Sequence, residues 1–299
     1  MNVNIKQLEA LYWAGRLGSF QAAANRLHTT QSAISKRIAE LEETLERQLF
    51  DRSRRNAQLT PAGERVSLAA GQMLSISRTL IEEAGDPDEY QAVFRLAATE
   101  ATALTWLPAL AKRVRADYPK LRLEIEIHEG GVLLEQLNRG RYDLALLPGP
   151  MWGKIYEAVP MKTLERAWMA SPKLSTPPVA LTVEELSQYP IGSQYSDTIH
   201  ARLQSAWFTR AGYPLRHHIQ AHSLSVLGEL TRVGAIVAQL PTGIYSEQLR
   251  KKELVRVLVT PELPDVQYFA VYRRATSHRL AEPIAAIAKD LCDFSSRAK

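Results

Sequence analysis

Gln31, Ser32, Ser35, Lys36 and Arg37 place an amide, two hydroxyls and two cations in one short stretch. Side chains of these kinds hydrogen-bond base edges and phosphates, so they offer recognition rather than turnover. Downstream, the run Leu49-Phe50-Asp51-Arg52-Ser53-Arg54-Arg55-Asn56 gathers cations where two short strands would turn. Arg52, Arg54 and Arg55 suit phosphate or minor-groove contact. Other clusters point to less. His217, His218 and His222 form a group, but the segment reads as a strand running into a loop. Neighbouring histidines on a strand point to opposite faces, and no cysteine lies near, so these read as solvated or core histidines rather than a metal site. Glu184 and Glu185 fall on a surface helix. No GxSxG elbow, Walker loop, GxGxxG or HExxH motif is present. The expectation is a chain that is not an enzyme, with no catalytic residue, no metal site and no cofactor.

The elements that must hold the first group are legible. Leu8, Leu11 and Tyr12 mark a helix that breaks near Leu17-Gly18. Ser19 then caps a small Ala-rich helix running to Leu27. Thr29-Thr30 makes a turn, and Thr30 stands as the cap of a helix from Gln31 to about Glu46. Its apolar positions Ile34, Ile38, Leu41 and Leu45 form one stripe. Ser32 and Lys36 point away from that stripe, with Ser35 on its flank. The charges run against the helix dipole: Lys36 and Arg37 lie toward the N-terminal half, Glu40, Glu42, Glu43 and Glu46 toward the C-terminal half. A phosphate near the N-terminus would account for that placement. The alternative is an ordinary solvated helix whose polar face carries no meaning. A basic hairpin directly after the helix-turn-helix makes a winged helix and favours DNA.

Thr60-Pro61 opens the next helix. Ala62, Val66, Ala69, Met73, Ile76 and Leu80 step by 4, 3, 4, 3 and 4 along it, a narrow, regular seam that reads as pairing with a second subunit, with packing on its own domain as the alternative. Gly85-Asp86-Pro87-Asp88 stops that helix.

The N-terminal region resembles the LysR-type transcriptional regulators. The matching residues are Gly18-Ser19-Phe20, Ala22-Ala23, Leu27, Gln31-Ser32-Ala33-Ile34-Ser35, Ile38, Leu41-Glu42, Leu49-Phe50, Arg52 and Leu59-Thr60-Pro61-Ala62-Gly63. The resemblance implies that Gln31, Ser32, Ser35 and Lys36 face DNA, with Arg52, Arg54 and Arg55 at the wing. Thr30 and Arg37 join this candidate set from the cap and charge readings. Two residues depart from the family pattern: Ser32 replaces a proline, and Glu46 replaces the glycine that ends the recognition helix.

Beyond residue 90 the pattern is strand, helix, strand. Strands are expected at Val93–Ala98, Leu121–Ile127 and Leu144–Leu147, with helices at Leu104–Tyr118 and Gly130–Gly140 between them. A second unit follows with strands near 166–170, 217–220 and 235–239 and helices near 182–188, 198–211 and 224–233. Tyr268–Tyr272 and Leu280–Phe294 return to the first unit. Such alternation implies parallel sheets with a cleft between the units. Tyr142-Asp143-Leu144-Ala145-Leu146 and Gly234–Pro241 extend the family resemblance, more loosely. It implies a periplasmic-binding-protein-like effector domain of two subdomains. In that arrangement Thr99, Glu100, Thr102, Gln194, Ser196 and Thr198 would meet a small-molecule effector. Hydroxyls and helix N-terminal amides suit a carboxylate. The same residues also read as caps and turns. Gly130-Gly131-Val132 stands where relatives often carry a small hydroxyl, so fewer polar contacts are expected on that side.

The fold expected is α+β in two parts: a winged helix-turn-helix over 1–60, a linker helix over 61–89 and an α/β effector domain over 90–299. Subdomain I would take about 90–160 and 265–299, and subdomain II about 161–264. The 299 residues are 45% hydrophobic, enough for real cores, and 37 basic against 32 acidic side chains leave a net charge of +5. That excess permits an anionic partner without demanding one. The lone Cys292 excludes an internal disulfide. The longest stretch free of charged residues, Val233–Ser246, is too short to span a bilayer, and the N-terminus has no signal core. A cytoplasmic DNA-binding regulator follows, a homodimer or homotetramer with no membrane partner and with RNA polymerase among its candidate partners. An effector between the subdomains would bias their closure and so the spacing of the paired winged helices. The reading from another class is a metabolite-binding protein whose N-terminal helices only mediate assembly.

Overall fold

The computed structural model describes residues 3–51, 57–84, 93–149, 153–174, 180–195, 198–215, 218–274 and 278–298. The chain divides into two compact units, one chiefly of residues 1–90 and the other of most of the remainder. In the first, α1 (Ile5–Leu17) starts at a capping box between Asn4 and Gln7 and stops at Gly18, whose φ of 62° is left-handed. Ser19 caps α2 (Phe20–Arg26), its Oγ accepting from Ala22 N at 3.3 Å. Thr30 caps α3 (Gln31–Leu45) in the same way, accepting from Ala33 N at 3.2 Å. Ile34, Ile38 and Leu41 of α3 are buried with Leu8, Leu11, Ala14, Ala23 and Ala24, and Leu45 packs at the edge of that core.

Glu46 ends α3 at φ 51°, so the left-handed turn that glycine makes easily is kept here by a side chain that strains against it. Glu42, expected to sit away from DNA for electrostatic reasons, has a structural task. Its buried carboxylate accepts from Leu49 N at 2.7 Å and Phe50 N at 3.1 Å, fixing the chain as it leaves α3. Phe50 and Leu59 then form an antiparallel bridge, flanked by Asp51 N to Gln58 O at 2.8 Å and Thr60 N to Leu49 O at 2.9 Å. This is the base of the expected hairpin. Its tip, with Arg52, Arg54 and Arg55, lies outside the described residues, as does the stop at Gly85-Asp86-Pro87-Asp88.

Helix α4 (Pro61–Ala84) is capped by Thr60, whose Oγ1 accepts from Gly63 N at 3.0 Å. A Cβ on Gly63 would fall 2.0 Å from the Leu49 carbonyl oxygen, so only glycine allows this approach. The expected seam divides. Ala62 and Val66 pack on the core of their own domain, whereas Met73, Ile76 and Leu80 are 53%, 46% and 64% exposed.

The second unit contains two five-stranded sheets. Chain order runs β1 (Val93–Ala98), α5 (Glu100–Ala103), α6 (Leu107–Asp117), β2 (Arg122–Ile127), α7 (Gly130–Asn138), β3 (Leu144–Pro148) and β4 (Tyr156–Leu164). It continues through β5 (Arg166–Ala170), β6 (Leu181–Thr182), α8 (Val183–Ser187), β7 (Ile191–Ser193), α9 (Ile199–Arg210), β8 (His218–Gln220) and α10 (Leu224–Arg232). The rest is β9 (Val237–Pro241), α11 (Ser246–Arg250), β10 (Val255–Val257), β11 (Val259–Thr260), β12 (Val266–Arg273) and α12 (Ala281–Leu291). The sheets order as β2-β1-β3-β12-β4 and β10-β5-β9-β7-β8.

Three expectations need correction. The helix expected over Leu104–Tyr118 starts later, at Leu107, because Pro108 lacks an N–H and belongs in the first turn of α6, and the separate short α5 precedes it. The sheets are mixed, not parallel: β12 runs antiparallel to β3 and β4, and β5 antiparallel to β9 and β10. Strand β4 was unexpected because Pro160 argues against a strand interior, yet β4 is an edge, where a missing N–H donor is tolerated. One apolar cluster joins the two sheets, from Phe94, Leu96 and Leu144 to Leu227, Ile236 and Leu240.

Candidate functional site

Two surfaces carry the residues of interest. On α3, Gln31, Ser32 and Lys36 are exposed, and Ser35 and Arg37 are half-buried. Thr30 is exposed, but its hydroxyl is engaged as the helix cap and lies 3.0 Å from Ser32 Oγ. Lys36 and Arg37 share a surface groove with Asn4, Ile5, Ala33, Glu40 and Lys6. Lys6 comes from the first turn of α1 and was not legible as part of this surface. Glu40 is also tied to α1, accepting from Gln7 Nε2 at 3.3 Å. Arg16 and Arg26 stack on Trp13 at 5.0 and 4.7 Å, a second pair of cations brought together only by folding.

The other site is a cleft of about 560 Å³ in the second unit. Of the expected effector residues, Thr99, Glu100, Gln194 and Thr198 line it. Thr102 is wholly buried behind Thr99, their hydroxyls 3.3 Å apart, and Ser196 lies outside the described residues. Thr99 Oγ1 donates to the Tyr268 hydroxyl at 3.4 Å. Thr198 caps α9, accepting from Ala201 N at 3.1 Å and donating to Tyr195 O at 3.1 Å. Glu100 is committed to the fold. Its carboxylate accepts from Leu224 N at 2.6 Å, Ser225 N at 3.1 Å, Ser225 Oγ at 2.8 Å and Ser223 Oγ at 3.1 Å.

Folding adds Arg166, His200, His222, Glu129 and Tyr268 to the lining. Arg166 opens β5, where its backbone N–H donates to Asp265 Oδ1 at 3.0 Å and its Nη2 to the Gln239 carbonyl. Burial lowers its pKa to about 10, opposed by Tyr268, Tyr245 and Asp265, and it stays charged at neutral pH. Burial, and then the Arg166 charge, hold His200 well below the usual imidazole range, so its ring is neutral. Burial also raises the Tyr268 phenol, leaving it protonated. At the mouth, His222 Nδ1 lies 2.7 Å from Glu129 Oε1, and its ring stacks on Tyr195 with centroids 3.9 Å apart. The Gly130 side is therefore not poor in polar groups, since His128 and Glu129 line it beside Gly130 and Val132. His222 belongs to this cleft, His218 starts β8, and His217 lies outside the described residues. Among the described residues no group of three or more His, Cys, Asp or Glu side chains is placed to hold a metal. Cys292 is buried.

A helix-turn-helix whose second helix exposes amide, hydroxyl and ammonium groups, joined to a two-sheet domain with a cleft lined by apolar and polar side chains, defines a ligand-responsive DNA-binding class. Comparison with known proteins supplies the family. Residues 5–64 match the bacterial regulatory helix-turn-helix protein model of the lysR family, and residues 87–292 match the LysR substrate binding domain. The chain belongs to the LysR family: it is a LysR-type DNA-binding transcriptional regulator with an effector-binding domain. It is 26% identical to the HTH-type transcriptional regulator YofA of Bacillus velezensis over 86% of this chain and 88% of that one. It is 30% identical to a probable RuBisCO transcriptional regulator of Cyanidium caldarium over 48% of this chain and 46% of the relative, so that match spans about half the relative's length. A full-length OxyR variant from Pseudomonas aeruginosa shares the fold, with TM-score 0.76, 18% identity and coverage of 100% and 99% of the two chains. No helix among the described residues is long and apolar enough to cross a membrane.

Proposed function

We propose that this regulator reads duplex DNA with α3 and responds to a small carboxylate held in the cleft between its two sheets. Gln31, Ser32 and Ser35 contact base edges, Lys36 and Arg37 contact phosphates, and Arg52, Arg54 and Arg55 follow the backbone at the wing. Thr30 positions the helix. The observation carrying the effector half is the cleft itself, where Thr99, Gln194 and Thr198 meet beside the start of α9. Occupancy biases the closure of the two subdomains, a shift between pre-existing states. The regulator assembles as a homodimer or homotetramer, and the exposed run Met73, Ile76 and Leu80 on α4 supports pairing.

The test is selection of a preferred sequence from a random duplex library by the full-length protein, followed by titration of Gln31→Ala and Lys36→Ala. Loss of sequence preference in the first and a weaker salt dependence in the second are expected. Unchanged affinity and salt slope in both would return the chain to the assembly-only reading. For the cleft, Gly130→Leu adds a side chain beside Pro148, where a Cβ has 3.5 Å of room. It is expected to abolish ligand binding while leaving DNA affinity intact.

A further inference from the structure

Two buried polar atoms of the cleft have no partner. Arg166 Nε and His200 Nε2 are both sealed from solvent with no hydrogen bond among the described residues. His200 as a whole is 8% exposed. Both residues line the same cavity, and the guanidinium charge acts on the imidazole ring. Buried donors are normally satisfied, so a sealed pair at the wall of a cavity marks a place where an acceptor belongs. His200 also lies in the first turn of α9, a helix of 12 residues whose N-terminal amides favour negative charge. The comparable place at α10 is already filled by the Glu100 carboxylate.

We propose that Arg166 and His200 are the anion-recognising pair of this cleft and hold the carboxylate of a monocarboxylic acid, its apolar part lying against Ile127, Val132, Pro148 and Ile199. This rests on the effector reading above and names the ligand class. Because both atoms are sealed from solvent, binding turns the two side chains toward the ligand: the Arg166 fork then gives Nε–H to one oxygen, and His200 gives Nε2–H in the tautomer that leaves Nδ1 unprotonated. The lining restricts the ligand to one negative charge. Among the described residues Arg166 is the arginine or lysine that lines the cavity, and a second carboxylate would meet Glu100 or Glu129. An α-ammonium finds little to bind, because Glu129 is already engaged by His222 at 2.7 Å.

The experiment uses the full-length protein and two matched series: hexanoate, hexanamide, adipate and norleucine, then benzoate, benzamide and phthalate. Binding is followed by calorimetry at constant ionic strength. Hexanoate or benzoate is expected to bind, with the amide, the diacid and the amino acid each weaker by about tenfold or more. Arg166→Gln is expected to weaken the monoacid by about ten- to a hundredfold, and His200→Leu by roughly tenfold. His200→Leu removes no hydrogen bond of Nε2 and keeps the test valid if Arg166→Gln fails to fold. Neutral amides binding as well as acids, or no monoacid binding at millimolar concentration, overturns the proposal. Acids bound normally by both variants but lost in Gly130→Leu overturn the pair alone. Acids bound normally by all three variants place the ligand elsewhere and overturn the cleft reading too.

Discussion

The Glu100 carboxylate accepts a 2.6 Å hydrogen bond from the backbone N–H of Leu224, tying the end of β1 to the start of α10 across the cleft. Both serines beside Leu224 donate to the same group. An acidic residue expected to greet a ligand is thus a strut between the two sheets, satisfying orphan amides at a helix N-terminus. Glu100→Ala is expected to lower stability by about 2 kcal/mol, the scale of losing a charged acceptor for several donors. Urea unfolding of the wild type and the variant measures it. A midpoint unchanged by the substitution removes the strut from the account.

Glu42 shows a similar reversal. The sequence places it in a run of glutamates, which electrostatic repulsion from DNA would account for. The structure gives it a local reason, because a buried carboxylate satisfies the backbone of Leu49 and Phe50 where the hairpin begins. Glu42→Ala leaves two N–H groups unpaired and is expected to cost about 2–4 kcal/mol. DNA affinity should fall although Glu42 touches no base, and Glu42→Gln should restore part of both. Retained stability together with retained DNA affinity would mean that the hairpin is set by something else.

What could be read from the sequence follows a physical divide. Ser19 and Thr30 were legible as caps because a cap depends on its own next three residues. The α3 stripe was legible because helical periodicity is local. Pro160 hid β4, since nothing near it reveals that the strand lies at an edge. Arg166 and His200 were hidden for a deeper reason: one opens β5 and the other lies in α9, and they line one cavity only after these elements have packed. A lone arginine at the start of a short strand and a lone histidine inside a helix carry no local signal. The one faint trace of His200 was its place two residues after the Thr198 cap.

Because His200 is held neutral, stability should depend on pH in a definite direction. Its pKa is lowered on folding, so the unfolded chain takes up the proton first. The contribution is complete above the unfolded value of about 6.5 and is lost progressively as pH falls below it, toward the lowered folded value. The slope from this one group approaches about 1.4 kcal/mol per pH unit at its steepest. Denaturant midpoints at pH 7 and pH 5 should therefore differ more in the wild type than in His200→Leu. An equal pH dependence in both would assign it to other groups.

Lys6 sits in the groove with Lys36 and Arg37, although thirty positions separate it from Lys36 in sequence. It is exposed in the first turn of α1, where the helix dipole opposes a cation, so helix stability does not explain it. A phosphate passing the groove would hold Lys6 and Lys36 together. Each phosphate neutralised adds about 0.9 to the slope of log affinity against log salt. Lys6→Ala is thus expected to lower that slope by about one such increment and to weaken all duplexes alike. Gln31→Ala, which removes the group proposed to read a base edge, should relax sequence preference and leave the slope unchanged. Measuring both variants on the selected site and on a scrambled duplex separates the two roles. A Lys6→Ala slope equal to the wild type would take α1 off the DNA surface and confine the contact to α3 and the wing.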